Sequence, residues 1–174
     1  MEKEYPIKIS PEILELLGPS LYTNIYYVLA ELVANSYDAD AENVWVTMSD
    51  SSITIEDDGK GMTYEETRER YLSVAKPTRI NEDTSKTPKY NRPKMGRKGI
   101  GKLAALAVSD KVKVMTKSGD DYSGFWLTRN VPSSGNLVPI TEDDIHFDNV
   151  TESGTRIEML NSEFEIPKMS KTVK

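Results

Sequence analysis

The sequence predicts an α+β fold, a two-layer sandwich with helices on one face of a mostly antiparallel sheet. Two helical stretches come early, strand-like segments gather after them, and a Gly-Asp turn at 119–120 joins two of those segments as a hairpin. In chain order, Ser10 and Pro11 open a short helix over 12–17 as N-cap and first-turn proline, and Gly18 ends it. Residues 21–37 form a longer helix, with Ile25, Val28, Leu29, Leu32 and Val33 as its buried stripe. Residues 43–48 and 52–56 read as strands about a Ser-Asp-Ser turn. Thr63 opens a helix to about residue 73, and Glu66 completes a capping-box pattern. Residues 77–98 are rich in Pro, Lys, Thr and Asn without a period, which points to a disordered loop or a functional lid. Residues 99–108 read as helix, 111–117 and 122–130 as the hairpin, and 154–160 as a last strand.

The 174 residues suffice for one domain with one sizeable core. No run approaches the ~18 apolar residues of a membrane helix. The charged N-terminus lacks the apolar stretch of a signal peptide. Without cysteine there is no disulfide framework, thiolate zinc site or thiol chemistry, and a cytoplasmic location is expected. A net charge of −6 argues against a grip on nucleic acid by the whole surface. Residues 76–102 nevertheless carry nine Lys or Arg against Glu82 and Asp83, a local net of +7 that leaves −13 on the remainder. Such a segment is either a solvated loop or the seat of a local anion such as a polyphosphate.

Three short motifs carry candidate chemistry. On the long helix Asn35 lies about 40° from Glu31, and Asp38 about 20° on the other side, so the three form one polar stripe. Polar groups so near a core boundary are costly unless partnered; an ordinary solvated face is the alternative. Next, Asp57-Asp58-Gly59-Lys60-Gly61-Met62 follows a strand directly. Its glycines allow a tight turn and close ligand approach, and Asp57 can accept a hydrogen bond from an exocyclic amine; a plain Asp-Gly turn is the alternative. Third, Gly96-Arg-Lys98-Gly99-Ile100-Gly101-Lys102 enters a helix, where glycine-rich backbone turns N–H groups toward an anion. The same string matches most of a P-loop, but Leu103 stands where the Mg²⁺-holding hydroxyl belongs and Pro88 and Pro93 interrupt any preceding strand.

Taken in order, and with Gly154-Thr155 on a late strand, these motifs resemble the nucleotide site of the GHKL superfamily, the ATPases of gyrase, heat-shock chaperones, histidine kinases and MutL. The likeness spans about residues 20–160 and implies the Bergerat-type fold, a mixed and largely antiparallel sheet under a helical layer with a flexible lid over about 76–98. It implies ATP and Mg²⁺ as ligands. By resemblance Asn35 ligates the metal, Asp57 accepts from the adenine amine, and Thr155 supports Asp57. Gly59 and Gly61 let backbone pass under the base, and Met62 packs on it. Gly96, Lys98, Gly99, Ile100, Gly101 and Lys102 surround the phosphates. Lys76, in an Ala-Lys pair like that of the chaperones, reaches them too, and Asp38 lines the adenine end or its waters. Glu31 occupies the position that orients and deprotonates water in the hydrolysing branches.

Histidine kinases usually carry Asn at that position, and His146, the single histidine, has no acceptor helix around it, so the kinase branch is disfavoured. The resemblance therefore implies an ATPase, weak by itself, because related proteins draw a completing Lys or Arg from a following domain. The chain is expected to be the N-terminal part of a longer protein that dimerises with nucleotide. Two larger roles are open: an ATP-driven clamp on DNA, as in MutL or the microrchidia ATPases, and a chaperone acting on protein clients. No membrane partner is expected.

Overall fold

The computed structural model describes residues 4–6, 24–72, 85–96, 101–129 and 135–160. The helix expected over 12–17 lies outside them. The long helix, α1, spans Ile25–Asp38. It starts later than expected because Asn24, extended at φ −145°, caps it by accepting from the Tyr26 amide at 2.9 Å. Ile25, Val28, Leu32 and Ser36 form its buried face. Val33 was expected in that stripe but is exposed, since it sits about 90° from the stripe's centre.

Strands β2 (Val44–Met48) and β3 (Ser52–Asp57) form the expected hairpin, closed by the Ser49 hydroxyl, which accepts from the amides of Ser51 and Ser52. Thr63 and Glu66 exchange both hydrogen bonds of a capping box at 3.2 Å. The helix they open, α2 (Tyr64–Glu66), is shorter than expected and continues as a single π-helical turn over Thr67–Tyr71. The segment expected as helix 99–108 is a 3₁₀ helix over Gly101–Ala107, whose Leu103, Ala104, Ala105, Leu106 and Ala107 are all buried. Small residues let this tighter coil press into the core.

Strands β4 (Lys111–Ser118), β5 (Asp121–Thr128) and β7 (Ser153–Leu160) match the expected segments closely. Two strands were not anticipated, β1 (Tyr5–Pro6) and β6 (Asn136–Pro139), because two and four residues are too few to show alternation. The sheet runs β1-β6-β5-β4-β7-β3-β2, and every pairing among the described strands is antiparallel. One face holds the core, where α1 and the 3₁₀ helix pack together over Ile53, Ile55, Val112, Val114 and Ile157. No helix among the described residues is long and apolar enough to cross a membrane.

Strand alternation sends Glu56 to the other face, where its carboxylate is fully buried. Arg156 pairs with it at 2.6 Å, and the amides of Asp148 and Asn149 donate to it as well. Burial alone would raise the Glu56 carboxyl; these donors outweigh that and hold it below its ordinary value. The network ties the 140–152 loop down onto the sheet. Arg156→Ala should cost about 3–5 kcal/mol in urea unfolding because it leaves a buried charge unpaired. A loss under about 1 kcal/mol would show that this pair does not hold the loop.

Candidate active site

Strands β3, β7 and β4 run side by side with Asp57 opposite Thr155, and Thr155 opposite Thr116. This register sets three polar side chains abreast on the sheet. Asp57 is only 5% exposed. Its carboxylate accepts from the Ser36 hydroxyl at 2.8 Å and from the Gly59 amide at 3.0 Å. Burial pushes the carboxyl up to about 6 in spite of these bonds and of a further one from the Thr155 backbone. The Thr116 hydroxyl accepts from the Met62 amide at 2.9 Å, donates to the Gly154 carbonyl at 3.1 Å and lies 3.1 Å from the Thr155 hydroxyl.

At two glycines on the cavity an added Cβ would meet close neighbours. Gly61 has φ +62°, and a Cβ there would strike the Lys117 carbonyl. A Cβ on Gly101 would strike the Glu31 carboxylate, and Asn35 Oδ1 lies 3.9 Å from the same point. Glu31, Asn35, Asp38, Asp57, Gly61, Met62, Gly96, Gly101, Lys102 and Thr155 all line one cavity of about 690 Å³. Ser36, Lys60, Tyr71 and Lys94 line it too. Gly59 does not. It faces a neighbouring cavity of about 740 Å³ bounded by Trp45 and the 149–153 loop, and serves the first cavity only through its bond to Asp57. Lys76, Lys98, Gly99 and Ile100 lie outside the described residues.

Asp38 was expected at the adenine end. It lines the cavity, and its two oxygens accept from the amides of Met95 and Gly96, both at 2.8 Å. Asp40 and Glu42 continue the pattern. Asp40, at φ +62°, accepts from the Lys89 amide at 2.7 Å and the Tyr90 amide at 3.3 Å. Glu42 receives the Lys89 ammonium at 2.9 Å and the Tyr90 hydroxyl. Arg92 donates to the Ala41 carbonyl and stacks between the Tyr37 and Tyr90 rings. Residues 85–96 thus form a turn closed by the Lys86–Pro93 bridge and clasped to the end of α1. Of the described cations of the basic segment, Lys89 pairs with Glu42, and Lys94 and Lys102 line the cavity.

Ser36, Thr116, Asp40 and Glu42 were not singled out from sequence. Ser36 follows Asn35 directly, but its role shows only once Asp57 is known to face it. Thr116 depends on strand register, for which the sequence carries no signal.

No group of three His, Cys, Asp or Glu that could hold a metal occurs among the described residues. The oxygen donors beside Gly101 are Glu31 and Asn35. Such a set fits Mg²⁺ that is carried mainly by substrate phosphates and completed by one or two protein oxygens.

The raised carboxyl of Asp57 has a consequence for stability. The native state retains this proton more tightly than the unfolded chain, so its stabilising contribution is full below pH ~3.8 and is lost as pH rises through about 6. The change amounts to about 3 kcal/mol. In urea unfolding between pH 4 and 7, wild type should therefore lose stability relative to Asp57→Asn as pH rises. A pH-independent difference between the two would rule this out.

Comparison with known proteins agrees with this geometry. Residues 22–155 match the family described as histidine kinase-, DNA gyrase B- and HSP90-like ATPase. The chain is 30% identical over 98% of its length to a putative type II restriction enzyme, HgiDII, of Herpetosiphon aurantiacus, covering 28% of that protein. It is 27% identical over 78% of its length to the chaperone protein HtpG of Halalkalibacterium halodurans, covering 25% of it. It is 31% identical over 66% of its length to HtpG of Gluconobacter oxydans, covering 22%. The chain thus spans about a quarter of the length of the curated relatives it matches. A cavity built from helix carboxylate, helix amide, strand-end carboxylate and glycine turns, with a family match over residues 22–155, makes the chain a member of the histidine kinase-, gyrase B- and HSP90-like (GHKL) ATPase family.

Proposed function

We propose that this chain is a single cytoplasmic ATPase module that binds Mg²⁺·ATP in the 690 Å³ cavity and hydrolyses it slowly, driving lid closure and dimerisation of a larger protein that acts on DNA. One observation carries the nucleotide reading: Glu31, Asn35, Asp57, Gly61 and Gly101, distant in sequence, open onto that one cavity. Ser36 touches Asp57, and Glu31 lies five residues earlier on the same helix, about 7.5 Å along its axis. The two carboxylates therefore serve opposite ends of an extended ligand.

Asp57 is the adenine anchor. A carboxylate offers about four acceptor sites, so bonds from Ser36, Gly59 and the Thr155 backbone still leave it able to accept the 6-amino group. Thr155 and Met62 border the base. Near Gly101, Asn35 offers its amide oxygen to Mg²⁺, which when bound neutralises charge on the phosphates. Glu31 orients the attacking water and accepts its proton. Closure of the lid over the ligand would require the clasp at Asp38, Asp40 and Glu42 to rearrange.

Calorimetry with a non-hydrolysable ATP analogue tests the reading. Binding should be tight with Mg²⁺ and weak without it, and absence of binding in both would remove the assignment. Glu31→Ala should bind the analogue like wild type while turnover falls by about 10²–10⁴-fold. Undiminished turnover would end its role as base.

The DNA-acting reading is supported by similarity along 98% of the chain to a protein named as a restriction enzyme. Similarity to HtpG favours a second reading, a chaperone-type ATPase working on protein clients. Turnover by the longer protein should rise with duplex DNA and not with unfolded polypeptide; the reverse would select the second reading.

A further inference from the structure

We infer that Thr116 is a positioning residue: it fixes the direction of the Thr155 hydroxyl so that the cavity accepts a base with an exocyclic amine and rejects one with a carbonyl. The inference rests on the nucleotide reading above. Thr116 is fully buried, and its partner across the strand pair, Thr155, lines the cavity. On the other side of Thr155, strand β3 sets Asp57 in the same row. Residues directly opposite one another in a sheet project to the same face, so the three side chains stand abreast.

The direction of the hydroxyls follows from what each neighbour can do. A hydroxyl has one proton to give and two lone pairs to fill. One lone pair of Thr116 takes the Met62 amide at 2.9 Å. Its other neighbours are the Gly154 carbonyl and the Thr155 hydroxyl, each at 3.1 Å. A carbonyl can only accept, so the Thr116 proton goes to Gly154. Thr116 then has a lone pair left for Thr155, and the Thr155 hydroxyl donates to it. This assignment satisfies every group, and a buried polar group left unmet is costly. Thr155 therefore turns its lone pairs, not its proton, to the cavity.

Asp57 beside it is an acceptor too. Its carboxyl, pushed up to about 6 by burial, is ionised above that pH. Two acceptors abreast match a group that carries two protons, such as the 6-amino group of adenine. They oppose the 6-carbonyl of hypoxanthine or guanine, which brings only lone pairs. Without the Thr116 hydroxyl, the Thr155 proton would be released to swing toward the cavity and meet such a carbonyl.

ADP and inosine diphosphate test this, because the second carries a carbonyl where ADP carries the amine. Calorimetry with Mg²⁺ at about pH 8, where Asp57 is ionised, would compare the two on wild type and variants. Wild type should prefer ADP by about 100-fold. In Thr116→Val the preference should fall about tenfold, through a gain in affinity for inosine diphosphate, and Thr116→Ser should keep it. Thr155→Val should lose a similar factor, and adding Thr116→Val to it should change the ratio no further. A merely structural role for Thr116 would weaken both nucleotides alike and leave their ratio unmoved. Equal binding of the two by wild type, an unchanged ratio in Thr116→Val or Thr155→Val, loss of the preference in Thr116→Ser, or additive effects in the double variant each overturn the inference and leave the nucleotide reading intact. If Thr116→Val fails to fold, the ratios in Thr116→Ser and Thr155→Val decide it. A wild-type protein that binds neither nucleotide overturns both.

Discussion

Asp57 is a carboxylate on the core side of the sheet, and such a group is costly to bury without partners. Its partners organise the surrounding structure. The Ser36 bond fixes how deeply α1 sits against β3, because that hydroxyl must reach the end of the strand. The Gly59 bond folds the chain back at once after β3 and so shapes the turn that leads to Gly61 and Met62. Pairing of β3 with β7 then brings Thr155 beside it, and pairing of β7 with β4 adds Thr116. One buried acceptor thus sets the spacing of a helix, a turn and three strands around a single cavity.

The second constraint is the clasp between α1 and residues 85–96. Asp38, Asp40 and Glu42 stand at every second position where the helix unwinds, and Asp40, at positive φ, meets the amides of Lys89 and Tyr90. Each takes donors from the 89–96 stretch. Burial opposes ionisation of Asp40, but the Thr87 hydroxyl and the amides of Lys89 and Tyr90 outweigh it and keep the carboxyl below its ordinary value. The 85–96 stretch is therefore joined to the same helix that carries Glu31 and Asn35.

Relatives as different as a putative restriction enzyme and chaperone proteins share this unit. A fold reused for several ends carries its shared chemistry in the site, and the choice of target lies in contacts outside it. This is why the cavity supports a reading of ATP chemistry more directly than it supports a choice between DNA and protein clients.

The sequence by itself determined the class of the fold, the long amphipathic helix, the two hairpins, the capping box and the family, because each rests on local periodicity or on motifs within a few residues. Glu31, Asn35, Asp57, Gly61 and Gly101, which line one cavity, lie in such motifs. Only the tertiary structure decided that Ser36 bonds to Asp57, that Thr116 lies beside Thr155, that Gly59 faces the neighbouring cavity, and that Asp38 accepts from the amides of Met95 and Gly96. Those roles arise from strand register and from the facing of helix on strand, which pair residues tens of positions apart. The short strands β1 and β6 belong to the same class, since so few residues gain their order from a neighbour and not from their own pattern.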